Sequence, residues 1–250
     1  MSLSKTCGAP CTPEWLWLRV GEERIWESQH EKLLGILVDK DLNFKMHLKN
    51  VCKKVNQKIS ALARVARFLS FHKRHMILRT FIESQFSYCP LVWMFCSKTI
   101  NAKINRTHER ALRLVYRDYS SKFTELLLKD KSLSFHHRNI QQVAIEMFKA
   151  KHDLSPPFMK EIFSTITRKT RTKEQFHRPN VNTVTWGENS LRYFGPIVWN
   201  KLLPEKFKHC DTLEEFKNSI RSWTPVNCPC KLCAVQIAGV GRVELCECCD

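Results

Sequence analysis

The stretch HLKNVCKKVNQKISALARVARFL, residues 47–69, indicates a helical fold, because its apolar residues recur at the spacing of an α-helix. They follow one another at intervals of three or four positions: Leu48, Val51, Val55, Ile59, Leu62, Ala66 and Leu69. Side chains at these intervals lie on one face of a helix. The pattern therefore predicts a long amphipathic helix that buries this face against other helices.

The opposite face of this predicted helix is basic. It carries Lys49, Lys53, Gln57, Ser60, Arg64 and Arg67, again at helical spacing. No acidic residue occurs between Asp41 and Glu83, although a face that only meets solvent usually pairs bases with acids four residues away. We therefore predict that the four bases of this face contact a polyanion.

A second basic face is predicted in residues 97–118, SKTINAKINRTHERALRLVYRD. Its bases fall three or four residues apart: Lys103, Arg106, Arg110, Arg113 and Arg117. Another face is apolar, with Ile100, Ile104, Ala111 and Val115, and Ser97 is the predicted N-cap. We expect Tyr116 and Tyr119, beside the basic face, to pack in the core rather than to stack on bases.

The net charge is concentrated in one part of the chain. Of the formal charge of +17 over 250 residues, +14 lies between Phe44 and Arg117, where 16 Lys and Arg face two acids, Glu83 and Glu109. Such a concentration indicates nucleic acid as the partner, ahead of an anionic membrane. No secretory signal or apolar run of membrane-spanning length is found in the sequence. We expect an intracellular protein, nuclear or cytoplasmic, without a membrane partner.

The segments outside these two helices predict a mainly α, α+β fold. Residues 15–28 favour a strand, a turn and a strand. Within residues 32–44 we expect one further apolar strand, which ends at the turn-rich run Asp39–Asn43. Helix is predicted over residues 72–88, where Pro90 ends it, and over four later segments: 120–130, 134–154, 189–204 and 211–223. Ser134 is the predicted N-cap of the second of these segments, and Thr212 with Glu215 forms a predicted capping box at the start of the last. The predicted inward residues of the second segment are Ile140, Val143, Met147 and Ala150. We expect a short N-terminal β-hairpin and strand unit, a bundle of five to seven helices and an irregular Cys-rich tail.

The sequence offers one candidate metal site. NCPCKLC, residues 227–233, brings together Cys228, Cys230 and Cys233, and a fourth ligand from Cys246 or His209 completes a tetrahedral zinc site. A plain Cys-rich tail is the alternative, because the spacing does not match paired C-x2-C units. No phosphate-binding loop, nucleophile elbow or H-E-x-x-H motif occurs. The histidines at 72, 75, 136 and 137 are expected to add to the cationic surface.

Six stretches, spread along nearly the whole chain, occur in the same order as similar stretches of one known protein family. They are ESQHEKLLGILVDKDLNFKMHL, YCPLVWMFCSKTINAKINRTHERALRLVYRD, SLSFHHRNIQQVAIEMFK, SLRYFGPIVWNKLLP, TLEEFKNSIRSW and CPCKLC. Together they resemble the C-terminal third of the reverse transcriptases of non-LTR retrotransposons, the jockey-like LINE class. Any one of these stretches alone is a weak signal, and the long collinear match makes the resemblance specific.

The resemblance implies four regions and their partners. Residues 1–43 resemble the end of the palm, residues 44–163 a basic helical thumb, residues 164–223 a helical C-terminal region and residues 224–250 a Cys-rich tail. The implied partners are an RNA template, a DNA primer or their hybrid, and a full-length reverse transcriptase. Family enzymes hold two Mg²⁺ ions on an Asp-Asp pair, which this chain lacks. We therefore predict no catalytic residue, no required cofactor and no polymerase activity of this chain alone.

Two alternatives to a nucleic-acid-binding reverse transcriptase region remain open. One is a domesticated zinc-bearing nucleic-acid-binding protein, which stoichiometric metal on Cys228, Cys230 and Cys233 would favour. The other is a pseudogene product without function. In that case the palm edge, built to pair with missing strands, leaves the first 45 residues prone to aggregation.

Overall fold

A computed structural model describes residues 17–165, 175–183, 187–225 and 228. Two antiparallel β-hairpins are followed by ten α-helices within these residues, which confirms the predicted mainly α, α+β class. The strands are β1 Trp17–Val20, β2 Glu23–Trp26, β3 His30–Leu33 and β4 Ile36–Asp39. The helices are α1 Lys45–Val65, α2 Phe71–Ile77, α3 Pro90–Trp93, α4 Lys98–Tyr116, α5 Phe123–Lys129, α6 Phe135–Lys151, α7 Pro157–Ile162, α8 Leu191–Ile197, α9 Glu205–Lys208 and α10 Leu213–Ile220.

The second hairpin corrects the single strand that was predicted ahead of the turn-rich run Asp39–Asn43. The chain reverses at Leu34 and Gly35, which both have positive φ angles, +46° and +87°. Positive φ at two central residues produces the tight turn whose twist suits a two-residue hairpin, so β3 and β4 pair in register. Tyr88 fixes this turn from the helical part of the chain by donating its hydroxyl hydrogen to the Leu34 carbonyl oxygen.

The two hairpins differ in how they meet the helices. The β3–β4 hairpin is tied to α1, because the Leu37 N–H donates to His47 Nδ1 at 3.3 Å. The β1–β2 hairpin is exposed, and Leu18, Val20 and Ile25 on it remain largely open to solvent. Open sheet edges with apolar side chains favour association with other chains.

The long helix predicted from residue 47 is present as α1, and its apolar face is buried. Leu48, Val55, Ile59 and Leu62 are buried in a core shared with α4, α5 and the start of α6. The predicted interior position Val51 is only half-buried, and the neighbouring Cys52 is fully buried instead. The shift rotates the interior stripe of α1 by one residue near its start.

Residues 72–86 of the predicted 72–88 segment are helical, but they do not form the single continuous helix that was predicted. After α2 the chain makes a π-helical turn, Leu78–Ile82, and a 3₁₀ turn, Glu83–Phe86. Pro90 does not only end this stretch, since it occupies the first turn of α3, where its missing N–H leaves no helical bond unmade.

A second core lies in the C-terminal half of the described chain. The inward residues predicted for α6 are all buried: Ile140, Val143, Met147 and Ala150. They pack with residues of α8 and α10, including Phe216, and with Trp199 of the π-helical turn Val198–Leu202 that follows α8. Phe135, at the start of the same helix, belongs to the first core. α6 is therefore shared between the two cores.

The predicted helix caps are present, with one difference. Ser134 accepts from the His137 N–H at 3.3 Å, and Thr212 accepts from the Glu215 N–H at 3.2 Å. Ser97 occupies the N-cap position of α4, but its hydroxyl lies 3.0 Å from Thr99 Oγ1 rather than on a backbone N–H.

Two buried carboxylates join the helices of the first core. Glu83, only 4% exposed, lies 2.7 Å from Arg79 Nη1, 2.7 Å from Arg138 Nη1 and 3.2 Å from His108 Nε2. The side chain of Asp130 contacts three further groups at 2.9 to 3.0 Å: Arg79 Nη2, His75 Nε2 and the Tyr116 hydroxyl. Arg79 bridges both acids, so one ionic network links α2, α4, α5 and α6.

Removing the charge of Glu83 is expected to destabilise the fold strongly. Glu83→Gln takes the carboxylate away from Arg138 and leaves Arg79 with Asp130 alone, at a position where the Glu83 side chain is buried. This change is expected to cost about 3 kcal/mol in the free energy of unfolding. Glu109→Gln is the matched control, because it breaks an ion pair with Arg113 that is partly exposed on both sides. It is expected to cost less than about 1 kcal/mol. Urea unfolding of both variants checks this, and equal losses would contradict it.

Stability is expected to fall as the pH drops through about 6.5. Burial lowers the pKa of His108 from the ordinary value of 6.5, even though Glu83 opposes this shift. The unfolded chain then binds a proton more readily than the folded chain, so stability is full above pH 6.5 and is lost below it. His108→Gln, which keeps a donor but does not titrate, should flatten the fall in the unfolding free energy.

The contribution of Glu83 belongs to a lower pH range. Burial raises the pKa of Glu83, but hydrogen bonds from His108 and Arg138 outweigh burial and hold it well below the ordinary value of 4.5. The stability that Glu83 supplies is therefore present above pH 4.5 and lost only in stronger acid.

The fall in stability between pH 7 and 5 is assigned to His108. An identical dependence of the unfolding free energy on pH in wild type and His108→Gln over this range would overturn that assignment.

Candidate nucleic-acid interface

The polar face of α1 and the start of α4 form an open groove. The cavity encloses about 740 Å³. Its basic lining consists of Lys49, Lys53, Arg64 and Lys103. The remaining lining residues are Met46, Asn50, Asn56, Gln57 and Ser60. The structure thus brings three of the four predicted bases of α1 together with one of α4, and none of the described residues that line the groove is acidic.

The groove exists because α1 and α4 run side by side in the same direction. Arg110 Nη1 lies 3.4 Å from Asn56 Oδ1, and further along both helices Arg117 Nη2 lies 3.2 Å from the Ala66 carbonyl oxygen. From the first contact to the second, the residue numbers increase on both helices, as a parallel pair requires. The polar sides of the two helices therefore meet along one edge.

Several of these bases take no part in holding the fold together. Lys49, Lys53, Arg64, Lys103 and Arg106 are exposed, and within the residues that the structure describes they make no hydrogen bond or ion pair. A base without a protein partner keeps its full charge and all its donors for a ligand. Phosphate oxygens are the natural acceptors for such a set.

At the far end of the α4 stripe, two of the predicted bases make contacts within the protein. Arg113 is held by the protein: its Nη2 lies 2.7 Å from Glu109 Oε1, and its Nη1 lies 2.6 Å from the Tyr119 carbonyl oxygen. Arg117 is the left-handed C-cap of α4 and donates to the end of α1. These two arginines fix the ends of the helices, and Arg67 lies over the Phe68 ring.

The aromatic and histidine predictions have mixed outcomes. Tyr116 is half-buried and packs edge-on against Phe71, as expected, whereas Tyr119 is 67% exposed and does not belong to the core. His75 is bound to the buried Asp130 and His136 is buried, so neither simply adds to the cationic surface. A histidine that follows a basic helix pattern is not distinguished by spacing from one that contacts a buried acid.

The residues that sequence reasoning missed in the groove are Asn50 and Asn56. Both lie on α1 between the basic positions, and Asn56 receives the Arg110 hydrogen bond. Their helical spacing from Lys53 was the available signal. Amide side chains both donate and accept, so they can contact sugar or base edges as well as phosphates.

The zinc prediction falls mostly outside the described residues. Cys228 is buried in the second core, whereas Cys230, Cys233 and Cys246 lie outside the part of the chain that the structure describes. His209, the alternative fourth ligand, is an exposed residue after α9. The zinc site therefore stays a prediction.

None of the described helices combines the length and apolar character needed to cross a membrane. Comparison with protein-family models, with curated proteins and with solved structures gives no significant match. The functional argument therefore rests on the geometry and charge of the groove, together with the sequence stretches described above.

Two arginines of the α4 stripe are expected to respond differently to substitution. Arg113→Gln removes contacts to Glu109 and to a loop carbonyl, so the free energy of unfolding should fall by about 1–2 kcal/mol. Arg106→Gln removes a side chain without a described partner and should change it by less than about 0.5 kcal/mol. Urea unfolding checks both, and a larger loss for Arg106→Gln would contradict the division of roles.

Proposed function

We propose that this chain binds nucleic acid through the groove between α1 and α4, as the thumb-like region of a non-LTR reverse transcriptase. The observation that carries the proposal is the set of four groove bases, which have no described protein partner and face no acid in the groove. A polyanion is the ligand that such a surface fits, because each phosphate that a base neutralises releases counterions.

The proposed role is binding rather than catalysis. Strand synthesis by two metal ions needs carboxylates that bridge both ions, and the chain contains no adjacent aspartate pair. The buried carboxylates Glu83 and Asp130 are fully engaged with arginine and histidine side chains. The chemistry would belong to segments of a full-length enzyme outside this chain, with Mg²⁺ as its cofactor.

Two further observations support this role. The lining mixes bases with amides and a hydroxyl, which allows contacts to sugar and base edges beside the phosphates. α4, one of the two groove helices, is also anchored by the Glu83 network through His108. A groove wall that is fixed before binding loses little conformational entropy on binding.

The experiment is a titration of the full chain against a labelled RNA–DNA duplex at several salt concentrations. We expect tight binding with a steep log–log salt dependence, about −0.9 for each phosphate neutralised on duplex. A variant with Lys49, Lys53, Arg64 and Lys103 changed to Gln should bind more weakly and with a flatter slope.

A second variant of equal charge loss serves as the control. It changes Arg192, Lys201, Lys217 and Arg221, exposed bases of the C-terminal helices, to Gln. This variant should bind nearly as the wild type does. If both variants lose the same affinity, binding depends on net charge alone and the proposed groove is refuted. If the folded wild type does not bind, the whole proposal is refuted.

A further inference from the structure

The basic row of α1 ends in an exposed aromatic side chain. Lys53, Gln57, Ser60, Arg64 and Phe68 follow one another at intervals of four, three, four and four residues. Phe68 closes the 3₁₀ turn Ala66–Phe68 that extends α1, so it lies one turn beyond the last groove base. Its side chain is 74% exposed, although a phenylalanine gains free energy from burial.

The protein backbone on both sides of Phe68 is held in place. Arg117 Nη2 donates to the Ala66 carbonyl oxygen at 3.2 Å, and the Leu69 N–H donates to the same oxygen at 3.2 Å. Arg74, which is buried, donates to the Leu69 carbonyl oxygen at 2.6 Å. Phe68 is therefore presented to solvent from a fixed turn.

The surroundings of the Phe68 ring are cationic. The Arg67 guanidinium lies 4.6 Å from the ring centroid and covers part of it. Arg64 lines the adjoining groove end, and Arg117 reaches the base of the turn. An exposed aromatic ring beside bases that attract phosphates matches the chemistry of a stacking site for nucleobases.

We propose that Phe68 stacks an unpaired nucleobase of a nucleic acid whose backbone lies in the α1–α4 groove. This inference rests on the proposed function, because the groove supplies the phosphate contacts that bring the base to the ring. The inference adds a ligand class to the proposed function: a single strand, or a duplex with a single-stranded extension at the Phe68 end of the groove. Base pairs closed on both strands offer no free face to this ring.

The test compares two ligands, a blunt RNA–DNA duplex and the same duplex with a short single-stranded extension. Wild type should bind the extended ligand more tightly. Phe68→Ala should lose about tenfold or more in affinity for the extended ligand, from the loss of base–aromatic stacking, with little change for the blunt duplex. Phe68→Trp should restore the preference for the extension.

Phe81→Ala is the matched control, because Phe81 is also an exposed aromatic, at 59%, beside a base, Lys58. Lys58 lies half a turn around α1 from the groove row, so this variant should bind both ligands as wild type does. Phe68 is exposed, and an unchanged urea midpoint in Phe68→Ala will show that the fold is kept.

The outcomes separate the two proposals. If the four-base groove variant binds as tightly as wild type, the proposed function fails and the inference fails with it. If that variant weakens both ligands while Phe68→Ala binds the extended duplex as wild type does, the groove stands and the stacking site is refuted. The stacking site is also refuted if Phe68→Ala loses the same affinity for the blunt duplex as for the extended duplex. It is refuted as well if Phe81→Ala loses as much affinity for the extended duplex as Phe68→Ala does.

Discussion

The ionic network around Glu83 and Asp130 is the constraint on which the helical arrangement depends. A carboxylate withdrawn from water is tolerated only when hydrogen-bond donors surround it. Here those donors come from α2, α4 and α6 and from the π-helical turn before Glu83. α4 contributes His108 and Tyr116 to this network, and the buried position of His108 helps to set the rotation of that helix. With His108 turned inward, Lys103 and Arg106 are turned outward. A buried contact thus orients the exposed charge.

The sequence was sufficient for the elements whose signal is local. The apolar spacing in α1, α4 and α6 predicted three helices and most of their buried residues, and Ser134 and Thr212 predicted where two helices begin. The turn at Leu34 was missed, because leucine seldom has a positive φ angle and the neighbouring residues read as one apolar run. In each of these cases, whether the prediction was right or wrong, the signal came from a few residues that are close together in the sequence.

The groove was predictable only in part, because it depends on how two distant segments meet. Spacing placed Lys49, Lys53 and Lys103 on polar faces, but it did not show that α1 and α4 lie parallel, with Asn56 beside Arg110. Spacing also does not distinguish a base without a protein partner from a base that donates to a backbone carbonyl, as Arg113 does.

The parallel pair also places two helix C-termini together, where partial negative charge collects. Arg117 offsets that charge at the end of α1.

The position of α6 has a mechanical consequence. Phe135 packs into the core beneath the groove, and from Ile140 onward the same helix packs into the core formed with α8 and α10. A continuous helix is stiff, and bending it sharply needs a break in its backbone hydrogen bonds. The two halves of the described chain therefore lack a hinge at this junction. A load that a partner applies to the C-terminal half is therefore expected to pass through α6 toward Arg138 and Glu83, and from Glu83 to His108 on the α4 side of the groove.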